Sequence, residues 1–436
     1  MEDLLAARLQ MAVSLGFHIL FSVVGMAMPT LMVIAEVLHV KTRKTVYLEL
    51  AHRWAKGTAI LFAVGAVSGT VLSFELGLLW PRFMQLAGPL IGLPFTLEGF
   101  AFFFEGIFLG IYLYGWNRLH PWAHAASGAI IAISGIFGGA FVVSVNGFMN
   151  TPAGFDLVDG RWENLRPWDA FLNPAFPTQA LHMVLAAYVS VSFVVLGIHA
   201  ARLLRAPSNP LHKAALHICF GVAVITTPAI MISGDLSAKH VAERQPLKLA
   251  AAEGHFHTTK GASLSIGGWP SREDKTLKGA LHIPKALSFL AFADFDAEVK
   301  GLEEFPEEEW PPLAPVHLAF QIMVGCGMAI IGLLGLGMLL LWKWRDLAQP
   351  WWLRAVAWAS PLGLVAVEAG WTVTEVGRQP WIIQGVLRTA DAVTPVGGLW
   401  LHFVGFTALY LFLGVVVVML LRAHVTAADD RQEAQP

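Results

Sequence analysis

The chain has 436 residues, 56% of them hydrophobic and only 14% charged, with a formal net charge of −2. Soluble globular proteins carry charge on about a quarter of their residues, so this composition excludes that class, and nothing in the charge balance points to nucleic acid. The two cysteines, Cys219 and Cys326, both sit inside apolar runs and suggest neither a disulfide framework nor a metal cluster.

The start, MEDLLAARLQ, is acidic and has no small-residue cleavage site after it, so the first apolar run reads as a retained helix. Nine runs are long enough to cross a bilayer: 16–38, 56–80, 94–116, 124–148, 179–204, 214–234, 316–342, 352–377 and 399–421. The expected fold is all-α: a polytopic membrane protein with nine transmembrane helices and one long extracytoplasmic loop. Residues 1–234 hold helices one to six, 235–315 the loop, 316–422 helices seven to nine, and 423–436 a cytoplasmic tail. No internal repeat is evident.

Basic residues gather in alternate links. Lys41, Arg43, Lys44 and Arg53 follow the first run, and Arg202, Arg205 and Lys213 surround the turn after the fifth. Lys343, Arg345 and Arg354 follow the seventh, and Arg422 closes the ninth. The positive-inside rule then places the N-terminus outside and the C-terminus in the cytoplasm, with the long loop, acidic at EEFPEEEW, outside.

Ionisable groups inside spans are costly and point to function. Here they are His18, Glu75, Glu98, Glu105, His182, Glu368 and Glu375, most of them in the outer half of the bilayer, joined there by His317 and Met323. A lone histidine or methionine in a span is more often packing than ligand; the shared depth is what argues for a site. Glu98 and Glu105 share one helical face, about 10 Å apart along the axis, among the phenylalanines of FTLEGFAFFFEGIF. Such carboxylates hold and pass protons or ligate metal. Glu368, Trp371, Glu375 and Arg378 form another stripe, at i, i+3, i+7 and i+10. Imidazole and thioether suit a redox metal better than a closed zinc site, and a His–Met axial pair is one way to hold a low-spin heme.

These residues resemble subunit I of the cytochrome bd-type ubiquinol or menaquinol oxidases over essentially the whole chain. The carriers are RLQ and FH (Arg8, His18), LEGFAFFFEG (Glu98, Glu105), VNGFMNTP (Asn146), LHMVLAAY (His182), QPLKLAAAE (Lys248, Glu253), FQIMVGCG (Met323) and VEAGWTVTEVGRQPW (Glu368 to Trp381). The GRQPW and QPLKLAAAE blocks are the specific ones.

The resemblance implies a heme-bearing subunit that oxidises quinol at the outer face and reduces O2 to water, building a proton gradient without pumping. It implies a low-spin heme b on His182 and Met323. It also implies two high-spin hemes, a heme b and a heme d (or a third heme b), served by His18 and Glu375. Trp371 packs between cofactors, Arg8 and Arg378 meet propionates, Glu98 and Glu105 deliver protons, and Lys248 and Glu253 serve quinol. The implied partner is a second large membrane subunit, with a small single-helix subunit as a further candidate, in the bacterial cytoplasmic (inner) membrane.

Three features depart from parts of the family. The loop is the short form. Gly106 and Gly138 stand where some relatives have serines on the proton path. Gln321 replaces an arginine, as in the cyanide-insensitive branch, and its neutrality predicts that Gln321→Arg raises the low-spin heme's potential. The competing readings are a cyanide-insensitive variant with only b-type hemes, a heme protein that passes electrons elsewhere, and a proton-coupled membrane transporter.

Overall fold

A computed structural model describes residues 2–433, with side chains through residue 423. The helices in chain order are α1 (Glu2–Thr42), α2 (Thr45–Leu79), α3 (Pro81–Tyr114), α4 (Pro121–Asn150), α5 (Pro167–Phe171), α6 (Phe176–Arg205) and α7 (Pro210–Arg244). Then come α8 (Pro246–Glu253), α9 (Ala286–Phe292), α10 (Leu313–Trp344), α11 (Pro350–Ala359), α12 (Leu362–Val376), α13 (Thr389–Ala392) and α14 (Leu399–Glu433). Nine stretches among the described residues are long and apolar enough to cross a membrane, with α11 and α12 together forming the eighth.

Local chemistry sets the helix starts. Proline occupies the first turn of α3, α4, α6, α7, α8 and α11, where its missing N–H costs nothing. Asn209 caps α7, its side-chain oxygen accepting from the Leu211 and His212 amides at 2.9 and 3.3 Å. The eighth span breaks between Ala359 and Leu362, and α6 answers the break: the Ser190 hydroxyl donates to the Gly363 carbonyl at 2.9 Å. A Cβ on Gly363 would lie 2.6 Å from the Ser190 Cα, so glycine is what lets the two helices touch there.

The long central helix α1 packs against α2, α4, α6 and α14, while α3 pairs with α4, α6 with α7, and α10 with α12. Between α7 and α10 the expected loop is folded. It contains α8, α9 and three antiparallel two-stranded ribbons, Thr259–Lys260 with Glu298–Val299, Leu264–Ile266 with Leu281–Ile283, and Trp269–Ser271 with Thr276–Lys278. Its first part, as far as Arg244, continues α7. A small apolar core of Ala250, Ala251, Phe256, Leu302 and Trp310 seats the loop on the start of α10 through Leu313 and Val316. The expected tail is helical as far as Glu433, and residues 434–436 lie outside those described.

Candidate functional site

The end of α12 is the best-connected polar point in the bundle. One oxygen of Glu375 accepts from the Asn146 amide near the end of α4. The other accepts from Arg378 Nη2 at 2.7 Å. Arg378 is 2% exposed, and a guanidinium so deep is tolerable only with an anion beside it. One turn beyond Asn146, the Asn150 amide donates to Asn146 Oδ1 and to its carbonyl, both at 2.9 Å. Asn150 Oδ1 in turn accepts from Lys248 Nζ, which also reaches the Thr374 carbonyl at 3.4 Å. An unbroken chain, Arg378–Glu375–Asn146–Asn150–Lys248, therefore ties α12 to α4 and to α8 of the loop. Burial pulls the Lys248 ammonium down to about 7, helped by the Arg378 charge and opposed by Glu375. Gly377 leaves room for the lysine stem, since a Cβ there would press Lys248 Cγ at 3.1 Å.

A second set of bonds holds the loop to α10. His317, fully buried, places Nδ1 2.8 Å from the Ala252 carbonyl and Nε2 3.1 Å from the Gly267 carbonyl. One turn on, Gln321 Oε1 accepts from the Gly267 amide at 2.9 Å while its Nε2 donates to the Ser265 carbonyl at 3.0 Å. Gln321 thus spends both ends of its amide on the loop. This is a job the sequence did not suggest. Beside this clasp lies Glu253, the last residue of α8. Burial pushes its carboxyl up to about 7, partly offset by a hydrogen bond from the Ser265 backbone.

The other sequence-predicted residues lie on separate helices. His18 Nδ1 is 3.0 Å from Ser68 Oγ and its Nε2 is 2.9 Å from Ser22 Oγ. His182 Nδ1 is 3.0 Å from Ser233 Oγ. Glu98 and Glu105 accept no hydrogen bond from the described residues. Arg8 is half-buried on α1, and Trp371 packs on the main apolar core.

Glycines are the feature that links these positions. A Cβ on Gly69 would lie 2.9 Å from the His18 ring, on Gly234 3.5 Å from His182, and on Gly370 3.1 Å from Met323 Sδ. Gly25 and Gly16 stand in the same relation to Glu105 and Glu368, each at 3.2 Å. Each ligand-type side chain leans on a neighbouring helix that has been pared back to make space. An open groove of about 520 Å³ between α1, α10 and α12 has apolar walls, among them Leu20, Leu318 and Ile322, and one acid, Glu368. Three buried donors, Arg378 Nη1, Trp381 Nε1 and Gln245 Nε2, lack any partner among the described residues. Recessed imidazoles and a thioether, apolar walls and spare donors for carboxylates together fit heme, a flat apolar macrocycle with acidic edges. Sequence reasoning placed His317 in the outer layer of ligand-type residues without its bonds to the loop, and it passed over Asn150 and Gln245 as working residues. Only Asn150 left a trace, at i+4 from Asn146 in VNGFMN.

The family model for cytochrome bd terminal oxidase subunit I matches residues 6–429. A protein of Bacillus subtilis (strain 168) assigned as a cytochrome bd menaquinol oxidase subunit I is 37% identical, covering 97% of this chain and 96% of the relative. Cytochrome bd-II ubiquinol oxidase subunit 1 of Escherichia coli (strain K12) is 27% identical over 98% of this chain and 97% of its own. Among solved structures, bd oxidase from Geobacillus thermodenitrificans superposes with a TM-score of 0.93 at 39% identity, covering 98% of both chains.

Proposed function

The chain belongs to the cytochrome bd terminal oxidase subunit I family, whose enzymes pass electrons from quinol to oxygen in a multi-subunit bacterial membrane complex, and from that premise we propose how its residues divide the work. Membership sets the transporter reading aside. Heme, when bound, supplies the electron transfer and the reduction of oxygen.

In our reading His182 and Met323 would hold a low-spin heme b. His18 and Glu375 would hold a high-spin heme b and a heme d (or third heme b), Trp371 would pack beside them, and Arg8 and Arg378 would pair with heme carboxylates. Arg378 suits this role because one nitrogen holds Glu375 while Nη1 remains without a partner among the described residues. Glu253 takes a hydroxyl proton from quinol, and with its carboxyl at about 7 it is poised to gain and lose a proton near neutrality. Lys248 works from beneath, bracing Asn150 and through it Glu375. Glu98 and Glu105 carry protons to the oxygen site. With the N-terminus and loop outside, quinol protons are released outside and oxygen draws its protons from the cytoplasm, which builds a gradient without a pump. The partner is a second large membrane subunit, with room for a small single-helix one.

The observation that carries this reading is the buried chain from Arg378 to Lys248, because it joins the quinol loop to a ligand-type carboxylate. The test is optical. The purified complex is expected to show heme bands on reduction by quinol, and far-red absorption distinguishes heme d from a third heme b. His182→Ala is expected to lose the low-spin band and quinol oxidation while keeping the high-spin signals. A low-spin band that survives the substitution would remove His182 as a ligand.

A further inference from the structure

The end of the bundle away from the loop holds a second buried polar cluster, built from four helices. Glu36 of α1, 3% exposed, pairs with His124 Nδ1 of α4 at 2.7 Å. His124 Nε2 faces the Tyr112 carbonyl of α3 at 2.9 Å. The Tyr112 phenol stands beside the Glu36 carboxylate without reaching hydrogen-bond geometry. His52 of α2 lies edge-on to Trp116 with ring centroids 3.9 Å apart, and Trp116 is 4.0 Å from the His124 ring. Charged neighbours of His52 are Lys56 and Glu49 on its own helix and Glu36 and His124 across from it. Three buried polar atoms here, Glu36 Oε2, Tyr112 Oη and His52 Nε2, have no partner among the described residues. A cluster that served only to tie helix ends would satisfy them, because each unpaired polar group buried in a membrane protein costs free energy.

Its position supplies the reason. Tyr112 lies seven residues after Glu105, which lies seven after Glu98, so the three share one face of α3 at steps of about 10 Å. Helical side chains lean toward the N-terminus of their helix, which aims the phenol from the cluster toward Glu105. Gly128 of α4 makes room for it: a Cβ there would come within 2.8 Å of the Tyr112 ring. Farther along, Cβ atoms on Gly106 and Gly138, where some relatives have serines, would meet Phe62 at 3.6 Å and Ala101 at 3.7 Å, so both positions near Glu105 would admit a small side chain without a clash.

We propose that Glu36, His52, Tyr112 and His124 form the proton-collecting end of the path that feeds Glu105. The proposal rests on the oxidase reading and orientation given above. His52 and the Glu36–His124 pair take a proton from water at the cytoplasmic end. Tyr112 accepts it on its phenol oxygen and releases its own hydroxyl proton toward Glu105 through water, so each relay group passes on one proton for each it receives. The sink is oxygen, which on reduction to water consumes as many protons as electrons.

Two conservative variants separate relay from scaffold. Glu36→Gln keeps the volume and the bond to His124 but cannot titrate, and Tyr112→Phe removes only a hydroxyl that makes no hydrogen bond among the described residues. A structural role tolerates both. The complex, reconstituted into vesicles enclosing a pH-indicator dye on the cytoplasmic side, is driven with quinol. Both variants are expected to lower proton uptake and oxygen consumption about tenfold or more, with heme spectra and anaerobic reduction of the low-spin heme by quinol unchanged. Glu36→Asp, which keeps a carboxyl, is expected to recover part of the rate. Wild-type uptake in both Glu36→Gln and Tyr112→Phe would overturn the relay and leave the oxidase reading intact. Uptake from the loop side in the unmodified enzyme would overturn the orientation and the relay with it.

Discussion

Glu375 and Glu105 are both carboxylates on membrane helices, and their surroundings are opposite. Glu375 has each oxygen held, one by Arg378 at 2.7 Å and the other by Asn146. Glu105, among phenylalanines in the sequence, faces Gly25, where a Cβ would lie 3.2 Å from its Oε1, and meets no hydrogen-bond donor among the described residues. A carboxylate fixed by a buried guanidinium stays where it is, which suits a ligand. A carboxylate with no partner has no bond to give up when it changes charge, which suits a carrier of protons. On the reading proposed above, the two carboxylates take different jobs because of the company each keeps.

The comparison breaks most visibly at the anchor. Arg378→Met leaves the half-buried Glu375 without its cation, at a cost on the order of 1.5–3 kcal/mol for a lost charge-assisted hydrogen bond. We expect loss of high-spin heme from the purified complex, seen as a lower heme-to-protein ratio; full heme content would mean the pair does not hold the site. Glu105→Gln is the counterpart. With no bond broken, stability should move by less than about 0.5 kcal/mol and heme content should hold, while oxygen consumption falls about 10²-fold or more. A drop in thermal stability as large as that of Arg378→Met would erase the contrast.

The loop sharpens the comparison with a carboxyl outside the membrane. Glu253, raised to about 7 by burial, is protonated below that pH and anionic above it, and only the anion accepts a proton from quinol. Quinol oxidation in the wild type should therefore rise between roughly one pH unit below and one above that value. Glu253→Gln should be slow and flat across the range, and a pH limb that persisted in it would reassign the base. The smallest effect is expected at the clasp. Gln321→Ala removes two hydrogen bonds worth about 1 kcal/mol each. It should speed amide exchange in residues 265–267 and raise the KM for quinol several-fold, with heme spectra unchanged.

How much of this was legible in the sequence follows from range. The nine spans were, because about 20 apolar residues cross a bilayer whatever surrounds them. Their ends were not. α1 begins at Glu2 and α7 runs to Arg244, because helix continues through polar residues that a hydropathy reading assigns to water. The Glu98–Glu105 stripe and the α12 stripe were visible, since each is a spacing within one helix. The clasp was not: His317 meets carbonyls 65 and 50 residues away, and a backbone acceptor leaves no signature in sequence. Lys248 was found by motif, but its contact with Asn150, 98 residues distant, was not legible, because it joins two separate elements.

The division of labour between the two carboxylates is tested most directly by infrared difference spectroscopy of the oxidised and reduced complex, because a carboxyl that gains or loses a proton changes its C=O stretch and a fixed carboxylate does not. The account predicts a carboxylic-acid band that changes on reduction in the wild type and disappears when both Glu98 and Glu105 are replaced by Gln, with high-spin heme content preserved. A band that survives in that variant would contradict it, since the moving proton would then reside on Glu375 or another acid.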